Sequence, residues 1–106
     1  MNGRIAALSK EVKEGLEGVY GEGLKGVTLY GSYARGEEES ESDIDLVVVL
    51  DQLDHYADEV DRTGYLISEL SLTYGISVSR VFVSLGDWSG REGSFLASAR
   101  EEAIPV

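Results

Sequence analysis

The sequence has no cysteine, which excludes a disulfide framework, a thiolate nucleophile and a cysteine-ligated zinc site. It also has no long apolar run. The longest is residues 46–50, far short of the roughly 20 residues needed to span a bilayer, and the N-terminus lacks the apolar stretch of a secretory signal. A cytoplasmic protein without a membrane partner is expected. Positive charge is scarce: nine Lys and Arg face twenty Asp and Glu, for a formal net charge of −11. Sequence-independent nucleic-acid binding depends on Lys and Arg displacing counterions, so DNA and RNA are poor candidates for the main partner. An acidic surface suits divalent cations, a basic protein partner, or solubility alone.

At 106 residues with 42% hydrophobic and 27% charged residues, the chain has the composition of a folded globular protein and the length of one domain with one core, spanning residues 1–106. Ile5, Leu8, Val12, Leu16 and Val19 recur at three- and four-residue intervals, the signature of an amphipathic helix; Gly21 and Gly23 end it. Residues 27–30 read as a first strand and residues 43–50 as a second. Leu53, Ala57, Val60, Gly64, Ile67, Leu70 and Tyr74 keep helical spacing up to Gly75, which stands where a C-terminal cap belongs. Residues 76–83 alternate as a third strand, and residues 94–102 suit a short closing helix. No repeat or linker is evident.

This order predicts an α/β (α+β) domain with a small mixed sheet flanked by helices. The short connection between the first two strands sets the end of one beside the start of the other. The helical crossover makes the second and third strands parallel. Gly31, Ser32, Asp43, Asp45 and the Ser77 region then converge at one edge.

Asp43 and Asp45 are two apart, so on a strand they share a face, which continues as Val47 and Val49. Two close carboxylates repel, and a divalent cation relieves that repulsion. Mg²⁺, or Mn²⁺ in its place, suits hard oxygen ligands completed by substrate phosphates. After the first strand, Gly31 permits close backbone approach and its neighbouring N–H groups can cradle an anion. Ser32 offers a hydroxyl and Arg35 a charge for leaving pyrophosphate. Residues 32–35 could form one helical turn aimed at phosphates. Taken singly, Gly-Ser is most often a turn, Asp-x-Asp a solvated pair or cap, and Arg35 a surface charge. Their combination at this spacing is the informative feature.

Leu29-Tyr30-Gly31-Ser32-Tyr33-Ala34-Arg35-Gly36, followed after a spacer by Ser42-Asp43-Ile44-Asp45-Leu46, resembles the minimal nucleotidyltransferases (MNT proteins) of the DNA polymerase β-like superfamily. The looser resemblance runs through Tyr74-Gly75, the third strand, Trp88 and Phe95-Leu96. It implies that Gly31 and Ser32 contact the phosphates of a nucleoside triphosphate, ATP above all, that Asp43 and Asp45 are catalytic and bind metal, and, less directly, that Arg35 binds nucleotide. The implied reaction transfers a nucleoside monophosphate to a hydroxyl. With no room for an acceptor domain, that hydroxyl belongs to a partner or a second subunit. The family further implies a helical HEPN-domain toxin as partner, with this chain as an antitoxin modifying a toxin tyrosine. The superfamily commonly adds a third acidic residue from a neighbouring strand, where this chain has Ser77 and Ser79. Asp87 and the Glu37, Glu38, Glu39 and Glu41 run are the nearby acids; the run reads more simply as a solvated loop. The competing expectation is a non-catalytic module that keeps the fold and neutralises its partner by binding. His55, the only histidine, is expected at the surface.

Overall fold

The computed structural model describes residues 3–31, 43–90, 100–101 and 103–106. The elements are α1 (Gly3–Tyr20), a 3₁₀ turn (Gly21–Gly23), β1 (Leu24–Tyr30), β2 (Ile44–Leu50), α2 (Tyr56–Tyr74), β3 (Val78–Ser84), α3 (Leu85–Ser89) and β4 (Ile104–Pro105). The four strands form one sheet in the order β3-β2-β1-β4. β1 runs antiparallel to both β2 and β4, while β2 and β3 are parallel and joined by α2. The mixed sheet and its parallel crossover are those expected. No described helix is long and apolar enough to cross a membrane.

The core lies between one face of the sheet and helices α1 and α2. Ile5, Leu8, Val12 and Leu16 of α1 are buried there against Val27 and Leu29 of β1, Ile44, Leu46, Val48 and Leu50 of β2, and Ile67 and Phe82. α1 and α2 approach so closely that a Cβ on Gly15 would lie 2.5 Å from Leu66 Cδ1. A glycine within a helix costs about 1 kcal/mol relative to alanine, and here it admits the neighbouring leucine. α2 ends at Gly75, whose φ of 65° is the left-handed cap and whose N–H donates to Ser71 O.

The elements depart from the expected ones in physically clear ways. β1 begins at Leu24, and its pairing with β2 shifts register between Leu24 and Gly26, where glycine tolerates a bulge. Val19, Ala57 and Val60 follow helical spacing but are exposed. The inward side of α2 is instead Thr63 and Ile67, with Leu66, Leu70 and Tyr74 packed beside them. His55 precedes α2 as its N-cap residue, without a side-chain cap. The expected helix over residues 94–102 lies mostly outside the described residues; Arg100 and Glu101 are helical.

Polar contacts fasten α2 to the outer strand β3. Thr63 is fully buried; its hydroxyl donates to Glu59 O at 2.8 Å and accepts from Arg80 Nε at 2.8 Å. A second Arg80 nitrogen donates to Val60 O at 2.7 Å. Burial holds the Arg80 guanidinium below its usual pKa. At the start of α2, the Tyr56 hydroxyl accepts the Phe82 N–H at 3.3 Å, its ring edge-on to Phe82. Tyr20 donates to Glu59 at 2.8 Å; burial first, and this bond second, push its phenol well above the ordinary range. Thr63→Val keeps the shape of residue 63 but strips a half-buried cation of one of the acceptors it has on α2, and should destabilise the fold by roughly 1–3 kcal/mol. Thr63→Ser should recover part of that loss, both read by urea denaturation.

Candidate functional site

The sheet face away from α1 and α2 is built by alternation. Ile44, Leu46, Val48 and Leu50 point into the helix-covered core, so Asp45, Val47 and Val49 point the other way. Val47 and Val49 are buried there with Val83, and Tyr30 and Trp88 pack against them. Asp45 is half-buried at the start of this otherwise apolar row, a position that limits its solvation without removing it.

Two ladders fix that carboxylate. Tyr30 at the end of β1 pairs with Asp45, and Ser79 of β3 pairs with it from the other side. Directly paired residues share a face with their Cβ atoms about 5 Å apart. Tyr30 feels the neighbour: burial foremost, then the charge of Asp45 and the proximity of Tyr56, push its phenol above the ordinary value. The chain then turns at Gly31 with φ 77°, a left-handed conformation that costs a residue bearing a Cβ roughly 1–2 kcal/mol. A Cβ on Gly31 would also lie 2.7 Å from Asp45 Oδ2. Two independent requirements, backbone conformation and space for a carboxylate, therefore make residue 31 glycine.

Asp43 is exposed and sits one residue ahead of β2. Ladder hydrogen bonding begins at Ile44, whose N–H donates to Ser77 O at 2.9 Å, so the strand geometry that aims Asp45 takes hold just after Asp43. Gly31 and Asp45 meet at one end of the sheet, and Asp43 stands one residue ahead of the strand that carries Asp45. Ser32 and Arg35 lie outside the described residues, as do Glu37, Glu38, Glu39 and Glu41.

The residue paired with Asp45 on β3 is Ser79, exposed, and among the described residues no three His, Cys, Asp or Glu side chains come together to hold a metal. Asp87 therefore does not complete a triad with Asp43 and Asp45. It belongs to the first turn of α3, where its N–H donates to Ser84 Oγ at 3.2 Å. Two carboxylates at a strand edge nevertheless fit Mg²⁺, which is commonly held by one or two carboxylates together with substrate phosphates. Sequence reasoning missed Tyr30 as a neighbour of Asp45; its signal was its place as the last residue of β1 before Gly31. A cavity lined by Ala6, Ser9, Lys10, Lys13, Pro105 and Val106 lies against α1 and β4 and includes neither aspartate.

Comparison with known proteins follows the same lines. Residues 6–92 match the family model described as the nucleotidyltransferase domain. Two proteins of Methanocaldococcus jannaschii, both provisionally named protein adenylyltransferases, are similar. MJ0604 is 36% identical over 71% of this chain and 69% of its own length. MJ0141 is 31% identical over 73% of this chain and 77% of its own. Among solved structures, one provisionally assigned as a minimal nucleotidyltransferase superposes with a TM-score of 0.61 at 25% identity, covering 95% of this chain and 94% of that one. A crystal structure of a toxin-antitoxin with AMP-PNP shares the fold with a TM-score of 0.60 at 20% identity, over 89% of this chain and 68% of that one. A sheet edge that brings Gly31 against Asp45, on a chain matched by this family over most of its length, makes the protein a member of the nucleotidyltransferase family, in its minimal form, with enzymatic nucleotide transfer as its class of chemistry.

Proposed function

We propose that this chain transfers AMP from ATP to a hydroxyl on a partner protein, releasing pyrophosphate. The observation that carries the reading is the approach of the Gly31 backbone to the Asp45 carboxylate, 2.7 Å from where a Cβ would stand. It sets a turn free of side-chain bulk beside a fixed acid, as a triphosphate held next to a metal ligand requires. Gly31 and Ser32 seat the phosphates in this reading, and Arg35 offsets charge on the departing pyrophosphate. Asp43 and Asp45 would hold Mg²⁺ or Mn²⁺, which when bound supplies charge neutralisation for the phosphates. Asp45 is aimed by its two ladders before substrate arrives, and such preorganisation is the main contribution a protein makes to phosphoryl transfer. This reading makes the reaction a cytoplasmic one, which the proposed use of ATP supports.

The provisional name protein adenylyltransferase of the two M. jannaschii relatives supports AMP as the group moved and a protein as acceptor. The neighbour with AMP-PNP is a toxin-antitoxin, which supports a partner of toxin type; we assign that partner to a helical HEPN-domain protein, with a tyrosine as acceptor. A second copy of this chain is the alternative source of the acceptor surface.

One observation favours a second reading, a module that binds its partner without catalysis: Ser79 is paired with Asp45, and a serine lacks the charge that a third metal ligand would bring. Label transfer from α-labelled ATP to the partner, in Mg²⁺ or Mn²⁺, separates the two. Asp45→Asn and Asp43→Asn should each lower transfer by at least about a hundredfold, the scale on which a group stabilising transition-state charge acts, while leaving thermal unfolding unchanged or slightly raised as like charges are removed. Transfer that survives both changes would sink the site assignment; no transfer from the wild type in a confirmed complex would favour the binding module.

Gly31→Ala tests the cradle. It should destabilise the fold by roughly 1–2 kcal/mol through the left-handed backbone and displace the Asp45 carboxylate. Metal-dependent ATP affinity should therefore fall even at temperatures where the variant is fully folded, as calorimetric titration can show.

A further inference from the structure

The solvent side of α2 carries two large apolar residues that stay highly exposed among the described residues. Tyr65 is 80% and Leu72 79% exposed, whereas the opposite side of the same helix buries Thr63 and Ile67. The two are seven residues apart, two helical turns or about 10 Å along the axis, so they form one stripe. Around that stripe stand Asp58, Asp61 and Glu69, all exposed. From Asp51 to Glu69 the sequence holds six acidic residues and a single arginine, Arg62. That arginine is engaged with Glu59 at 3.0 Å, so it does little to offset the aspartates.

We propose that this face of α2, centred on Tyr65 and Leu72, docks a protein partner that presents an apolar groove rimmed by lysine and arginine. Two exposed apolar anchors two turns apart are how a helix is read by a groove, and tyrosine gives large contact area at low entropic cost. The acidic border selects the charge of the partner and speeds its approach. A second copy of this chain is disfavoured, because it would bring the same carboxylates together on chains that each carry a net charge of −11. The inference extends the proposed reading by giving the acceptor-bearing partner a surface to hold. α2 covers the sheet face opposite Asp45, so a partner seated on it leaves the carboxylate face open.

Binding alone can test this, separately from transfer. The probe is a synthetic helical hairpin whose two helices flank a leucine-lined groove edged with lysine, titrated into the isotope-labelled protein and followed by amide chemical shifts and fluorescence anisotropy. Shifts should centre on residues 58–72. Tyr65→Ser/Leu72→Ser should weaken affinity by roughly tenfold or more, the mark of an anchor residue, with unchanged thermal unfolding. Asp58→Asn/Asp61→Asn should flatten the salt dependence, and Asp45→Asn should bind as the wild type does, whatever it does to transfer. Shifts centred elsewhere, affinity indifferent to loss of Tyr65 and Leu72, or a wild-type dimer in sedimentation that the Tyr65/Leu72 variant converts to monomer would each overturn the proposal.

Discussion

The structure depends on the confinement of β2. This strand is paired on both sides, antiparallel to β1 and parallel to β3, and every residue from Leu46 to Leu50 is buried. A strand so placed has one register and one orientation, since slipping by a residue would carry Leu46 and Val48 out of the core and Asp45 into it. The cost of burying a carboxylate among leucines adds to the gain from burying the leucines in enforcing the native arrangement. The direction in which Asp45 points is thus a property of the whole sheet.

Much of this was legible from residue spacing. The stripe from Ile5 to Leu16 located α1, Gly75 marked the end of α2, and the apolar run after Asp45 read as a strand, which the structure buries on both faces. From these, the parallel crossover followed by handedness and connection length. The edge where Gly31 meets Asp45 followed too, because a short connection between two strands leaves few ways to join them.

Other parts were hidden for identifiable reasons. β4 has two residues and exists through its pairing with β1, a tertiary contact with no local pattern. The inward face of α2 was misread around Ala57 and Val60 because Thr63, a polar residue, occupies the deepest position; its burial makes sense only once Arg80 is known to donate to it. The short α3 did have a signal, Ser84 followed three residues later by Asp87, a spacing that often opens a helix. Asp87 was instead read as a candidate metal ligand. Asp43 was placed on the strand by alternation, which counts residues but cannot see where ladder bonding starts.

The outer edge of β3 carries one further implication. An uncovered strand edge invites another chain to add to the sheet and can seed fibres. Here the Tyr56 hydroxyl occupies the Phe82 N–H, and Arg80 ties the same strand back to the helix. The first turn of α2 therefore covers one of the backbone donors on that edge, so the phenol that packs against Phe82 also withholds from a passing strand a group it would need to add to the sheet.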